Sequence, residues 1–382
     1  MIDQARLPFF RLPPDADSER RAVRAFIQQQ RERGNLANPT DVGMRSDPAM
    51  SRRLADRGWV GMTLPTQYGG RGKSALSRYA VTEELLSAGI PVGSHWVADR
   101  QSGPLILRYG SEAQKRRYLP PICAGESFFC IGMSEPDSGS DLASLRANAA
   151  RVAGGWELTG QKIWTSRAHQ AHFMIALVRT SPVAGRHEGL SQFIVDLAAP
   201  GITVRPIINM VGQHDFNEVF MDAVFVPDDD LIGTEGSGWS QVGAELAYER
   251  SGPERWLSAF VLLSQLIGEL RNSASDTTKE MVGRILAHLL TLRQMSISVA
   301  GSLDRGETPT LQAAMIKDLG TRFEQDMIRL IRDIASTELV HGGSSPFRKL
   351  LQNALLWAPA FTIRGGTGEI LRGIIARELG SR

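Results

Sequence analysis

Cysteine is nearly absent. The 382 residues hold two, Cys123 and Cys130, at a spacing that fits neither a zinc site nor a redox pair, so a disulfide scaffold and a structural zinc are excluded. Charge of one sign is absent too: 43 basic residues face 41 acidic ones, a net charge of +2. No field over the whole chain selects nucleic acid or a membrane surface, and neither is expected as a partner. No apolar run is long enough to cross a bilayer and no secretory leader pattern is seen, so the expectation is a reduced, cytoplasmic protein. Also missing is a Gly-x-Gly-x-x-Gly turn after a strand, which argues against a nicotinamide enzyme on a parallel sheet.

What is present changes period twice. Residues 18–31 carry Ala22, Val23, Phe26 and Ile27 at helical spacing. Further helices are expected at Ala49–Gly58, at Ser77–Ala88, and after Ser111, where Ser111 and Gln114 form a capping box and the run ends at Pro120-Pro121. From Phe128 the pattern alternates, with strands expected at 156–164, 172–179, 191–197, 202–207 and 218–226 and no helix between them. Helical spacing returns near 238 and continues through 280–302, 310–340 and 347–358. The fold class is therefore α+β: an N-terminal helical domain (1–125), a small β-barrel or sandwich (126–235) and a C-terminal antiparallel four-helix bundle (236–382).

Two stretches of the middle region stand out. One is Ser134-Glu135-Pro136-Asp137-Ser138-Gly139-Ser140-Asp141 at the end of an apolar strand; the other is Gly160-Gln161-Lys162-Ile163-Trp164-Thr165-Ser166. As a pair they resemble the acyl-CoA dehydrogenase family. The likeness extends to Gly58-Trp59, to the loop Pro65-Thr66-Gln67-Tyr68-Gly69-Gly70-Arg71-Gly72 and to the helix opening at Tyr109-Gly110-Ser111. It implies FAD as cofactor. By position it implies contacts to the isoalloxazine edge from Ile131, Met133, Ser134, Ser140 and Ser166, with Trp164 over one ring face. Arg100 and His95 fall where the family lines its acyl pocket; as residues, they read more readily as a buried structural pair or a solvated arginine than as ligand contacts.

Val242, Leu246, Glu249, Pro253, Trp256 and Phe260 recur every three or four positions and are expected on one helix face. An acid in such a stripe reads three ways: as a general base whose pKa is raised by burial, as half of an ion pair, or as a boundary residue beside a Gly252-Pro253 kink. The resemblance favours the first. Most members of the family place their base just before a Gly-Thr near the C-terminus, and here Ile363-Arg364-Gly365-Gly366-Thr367-Gly368-Glu369 puts Gly365 there. A second group, which includes isovaleryl-CoA dehydrogenase, uses a Glu followed by Arg after the β domain, matching Glu249-Arg250.

The family's Arg-x-x-Phe-Gly phosphate motif is missing. Its best stand-in is Lys279, a point charge without the guanidinium fork. Gly365, Gly366, Thr367 and Glu369 complete the implied FAD set, and Ser140, Arg100, Arg250 and Arg364 the implied acyl-CoA set. The resemblance implies a homotetramer or dimer, with a heteromer as an alternative, and an electron-transfer flavoprotein or other external acceptor. The expected reaction is α,β-dehydrogenation of an acyl-CoA to the trans-2-enoyl-CoA. A site-completing silent subunit and a flavin oxidase or monooxygenase remain as alternatives on the same fold.

Overall fold

The computed structural model describes residues 6–37, 39–181, 185, 187–270 and 274–380, with the backbone alone at 244–249 and 340. The order is helices, sheet, helices. First come α1 (Pro14–Glu32), α2 (Pro48–Ala55), α3 (Ala75–Ser87), α4 (Gly103–Tyr109) and α5 (Glu112–Cys123). Then follow β1 (Phe129–Gly132), β2 (Asn148–Val152), β3 (Gly155–Ser166), β4 (Phe173–Arg179), β5 (Leu190–Asp196), β6 (Ile202–Ile208) and β7 (His214–Pro227). The chain ends in α6 (Gly238–Glu249), α7 (Phe260–Leu270), α8 (Asp276–Asp304), α9 (Thr310–Glu338), α10 (Ser345–Trp357) and α11 (Gly368–Glu378). The α+β class holds, and the five expected strands are found within a few residues of their expected bounds. The short β2, whose residues are mostly exposed, was not anticipated.

The chain forms two compact units, and neither is contiguous. One comprises residues 45–73 and 91–246, the other 1–44, 74–90 and 247–382. The first is built on a single seven-stranded sheet in the order β1-β4-β2-β3-β7-β6, with β5 paired to the other side of β4. β1 runs parallel to β4, while β3 pairs antiparallel with β7 along most of its length. Its core holds Trp156, Leu158, Met174, Phe193, Val219 and Val224, all at 3% exposure or less. Within the same unit α5 packs on the sheet through Tyr118, whose ring meets Phe129 and Phe173 edge-on and whose hydroxyl donates to Asp230 at 2.6 Å. Ser111 and Gln114 cap α5 reciprocally, as the sequence indicates. The helix then runs past Pro120-Pro121 to Cys123 rather than ending there; the prolines withhold two N–H donors, but the Pro120 carbonyl still accepts the Ala124 N–H at 3.0 Å. Both cysteines are buried and free; burial raises the Cys123 thiol to about 12.

In the second unit, α3 lies against α1 and α8, pinned by buried acids. Glu83 accepts from Arg20 at 2.7 Å and Arg293 at 2.7 Å, and Glu84 accepts from Arg24 at 2.8 Å. The apolar core runs from α7 through α10 around Trp256, whose indole N–H donates to Ser296 at 2.9 Å.

The expected single helix face from Val242 to Phe260 is corrected. α6 stops at Glu249, Gly252 is extended (φ −77°, ψ 166°), a 3-10 turn covers Pro253–Arg255, and α7 begins at Phe260. Pro253 lacks the N–H that an unbroken helix requires and drives the residue before it out of the helical region. Pro253, Trp256 and Phe260 therefore do not share a helix face with Val242.

Candidate functional site

The two motif segments meet in the sheet unit. Ile163 N–H donates to Ser134 O at 2.9 Å, and Lys162 Nζ donates to Met133 O at 3.2 Å and to Glu135 Oε1 at 2.8 Å. The Glu135 carboxylate also accepts the backbone N–H groups of Arg146 (2.6 Å) and Ala147 (2.9 Å). Lys162 is 0% exposed and Glu135 7%. Burial pulls the Lys162 ammonium below its ordinary value, opposed by the adjacent carboxylate.

Just beyond Lys162 the strand breaks step. β3 pairs with β7 as Lys162 with Val219 and resumes as Thr165 with Asn217, leaving a bulge between. In that bulge Trp164 sits at φ 58°, a left-handed conformation that costs a non-glycine residue about 1–2 kcal/mol. Its indole is 57% exposed, touched edge-on by Phe216 at 6.0 Å. On the far side of the bulge, fully buried Asn217 donates Nδ2–H to Thr165 O at 2.9 Å. A large apolar ring is thus held outward, at a cost in backbone strain, beside the strand end that carries Met133 and Ser134. That is the arrangement a planar ring system such as isoalloxazine needs for stacking and edge recognition, so the residues fit FAD. Ile131, Met133, Ser134 and Ser166 are half-buried. Ser140 is exposed on a loop closed by Ser138 Oγ donating to Asp141 O at 2.7 Å.

Arg100 lies on a π-helical turn, Ala98–Ser102, buried to 7% with its guanidinium 4.6 Å from the centre of the Trp96 ring. His95 is buried one turn earlier, its Nδ1 2.8 Å from Ser51 Oγ. Burial disfavours the imidazolium and lowers its pKa to about 4, with Asp99 opposing.

In the second unit another group of expected residues assembles. Arg250, 6% exposed, donates Nε–H to Gly365 O at 3.1 Å. Gly365 (φ 71°) and Gly366 (φ 101°) both adopt backbone conformations that disfavour side chains, and Thr367 caps α11. Arg364 Nη2 contacts Glu324 Oε2 at 2.6 Å and Ser258 Oγ at 2.9 Å, and the guanidinium lies 4.6 Å from the centre of the Phe361 ring. Glu369 is exposed in the first turn of α11, where its own backbone N–H and Thr367 lower its pKa. Lys279 is exposed in the first turn of α8 and pairs with Asp276 at 2.9 Å. The side chain of Glu249 lies outside the described residues; its backbone forms the last residue of α6.

Lys162 and Glu135 both lie within the two motifs, yet neither has a role assigned from the sequence alone. The signal was available: alternation along β3 puts Lys162 on the same face as core residues Trp156 and Leu158, and a lysine on a core face requires a buried acid.

Models of the acyl-CoA dehydrogenase N-terminal, middle and C-terminal domains match residues 13–126, 130–224 and 236–380. Acyl-CoA dehydrogenase FadE29 of Mycobacterium tuberculosis is 32% identical over 386 residues, covering 95% of this chain and 96% of that protein. The chain belongs to the acyl-CoA dehydrogenase family. The chain is also 34% identical over 335 residues to FadE34 of the same organism, covering 85% of this chain but only 45% of that longer protein. Among solved structures, the ChsE4-ChsE5 complex from Mycobacterium tuberculosis matches with a TM-score of 0.81 at 28% identity, covering 97% of this chain and 98% of that one. The family consists of FAD-dependent oxidoreductases, in keeping with the flavin-compatible edge at Trp164. Among the described residues, no acidic, histidine or cysteine group could hold a metal ion, and no helix is long and apolar enough to cross a membrane.

Proposed function

We propose that this acyl-CoA dehydrogenase removes the α-proton and the β-hydride of an acyl-CoA thioester, giving the trans-2-enoyl-CoA, with Glu249 as the α-proton base. The observation that carries the assignment lies at the alternative base position. Gly365 occupies it at φ 71°, and the neighbouring Arg364 is committed to Glu324. Neither accepts a proton. Glu249, followed by Arg250, is the acid that matches the family's second arrangement.

An acyl-CoA α-hydrogen is a very weak acid, so its removal calls for a positioned carboxylate. Glu249 takes that proton and holds it until product leaves. FAD, when bound, supplies the two-electron acceptor for the β-hydride. Trp164 would cover one face of the flavin, while Met133, Ser134 and Ser166 would bond its edge; Thr367 and the Gly365-Gly366 backbone would help to hold the cofactor, and Lys279 would stand in for a phosphate contact. Arg100, Ser140 and Arg250 are assigned to the acyl-CoA. Electrons pass on to an electron-transfer flavoprotein or a similar acceptor.

The chain is proposed to work as an oligomer. A heteromer is the second reading, favoured by the likeness to the ChsE4-ChsE5 complex together with the missing arginine phosphate motif. A panel of acyl-CoAs mixed anaerobically with the purified flavoprotein tests the proposal. Loss of the visible flavin absorbance with at least one thioester supports dehydrogenation. A chain that purifies without flavin points to a site-completing subunit, and rapid peroxide formation in air to an oxidase.

A further inference from the structure

Glu135 and Lys162 form a buried ion pair in a strand core where two apolar side chains of similar size would pack without any charge to desolvate. Such pairs are poor sources of stability, and their best-attested use is to fix one arrangement over others. The contacts show what is fixed here. Three groups converge on Lys162. Its Nζ donates to Met133 O and Glu135 Oε1, its Cγ packs beside Gly132, where a Cβ would come within 3.2 Å of it, and its neighbour Ile163 donates to Ser134 O. Lys162 is also the last residue of β3 in register before the bulge that turns Trp164 outward, while Asn217 secures the strand again at Thr165. One side chain therefore ties the Met133-Ser134 edge to the base of the Trp164 bulge.

We infer that Lys162 is a positioning residue for the flavin, its ammonium fixing the Met133 carbonyl and with it the separation of the Met133-Ser134 edge from the Trp164 ring. Glu135 compensates the buried ammonium, while the contact to the Met133-Ser134 edge is made by Lys162 itself. The inference rests on the placement of the flavin between those groups. It predicts that cofactor affinity and fold stability can be separated by substitution, because Met133 O loses its donor only when Lys162 is changed.

The test uses the full chain, stripped of flavin and titrated with FAD, with melting temperature measured on the same apoprotein. Lys162→Met leaves Glu135 with two backbone donors but no counter-charge, so both stability and FAD affinity should fall, the latter at least tenfold. Adding Glu135→Gln removes the buried charge, so the melting temperature should recover while the FAD dissociation constant stays at least tenfold weaker and the visible flavin band remains altered. Glu135→Gln alone keeps the Met133 donor and should bind FAD within a few-fold of the parent. Val195→Ala, a core change in the same sheet unit, should lower the melting temperature without changing FAD affinity. The inference is overturned if FAD affinity follows melting temperature across all four variants, or if the double variant binds FAD like the parent. Trp164→Ala separates the two levels. If it leaves FAD binding unchanged, the flavin placement itself is wrong; if it weakens binding and the double variant does not, only the role of Lys162 fails.

Discussion

Arg364 Nη2 lies 2.6 Å from Oε2 of Glu324, a carboxylate with no exposure to solvent, whose other oxygen accepts the Ser258 N–H at 2.7 Å. The Arg364 side chain is 30% exposed as a whole, with its Nε buried. The residue next to the position where most relatives carry their base is therefore part of the helical unit's internal wiring.

Removing it leaves a buried carboxylate without its cation. Arg364→Met is expected to destabilise the protein by about 2–4 kcal/mol, at the lower side of the cost of breaking a fully buried pair because the arginine side chain is partly exposed. Chemical denaturation checks this. Pairing the change with Glu324→Gln should recover most of the loss, and an unchanged unfolding midpoint in the single variant would show that the pair carries no stability.

How far these features could be read from the sequence depended on whether the signal was local. Alternation located the five longer strands, and the capping box at Ser111 marked the start of α5. The paired motifs pointed to the segments that meet at Ile163 and Ser134. The stripe from Val242 to Phe260 misled because periodicity continues across Pro253 while the backbone does not. Nothing local to Arg364 signalled Glu324, 40 residues away in the chain, and Trp164's left-handed conformation depends on a register shift that only strand pairing reveals. The discontinuous units likewise follow from long-range packing.

Stability should fall with acid through His95. Its pKa is about 4 in the folded chain and about 6.5 when unfolded. Between those values the unfolded chain binds the proton and the folded chain does not, so stability declines as pH drops through the window and is fully retained above it. The single group contributes about 3 kcal/mol across the interval. His95→Gln should flatten the dependence of melting temperature on pH between pH 7 and pH 4.5; a slope equal to the parent's would contradict the assignment.

Trp164→Ala removes the exposed ring and should weaken FAD binding about tenfold, equivalent to about 1.4 kcal/mol of stacking. Flavin retained after gel filtration provides the measurement. Full retention with an unchanged visible spectrum would place the isoalloxazine elsewhere.

Glu249 is proposed to take the α-proton. Glu249→Gln preserves side-chain size and hydrogen-bonding capacity while removing basicity, so flavin content should match the parent. With any acyl-CoA that reduces the parent, anaerobic stopped-flow should show flavin reduction slowed by about a hundred- to ten-thousand-fold. Reduction of Glu249→Gln as fast as the parent would show that another group is the base.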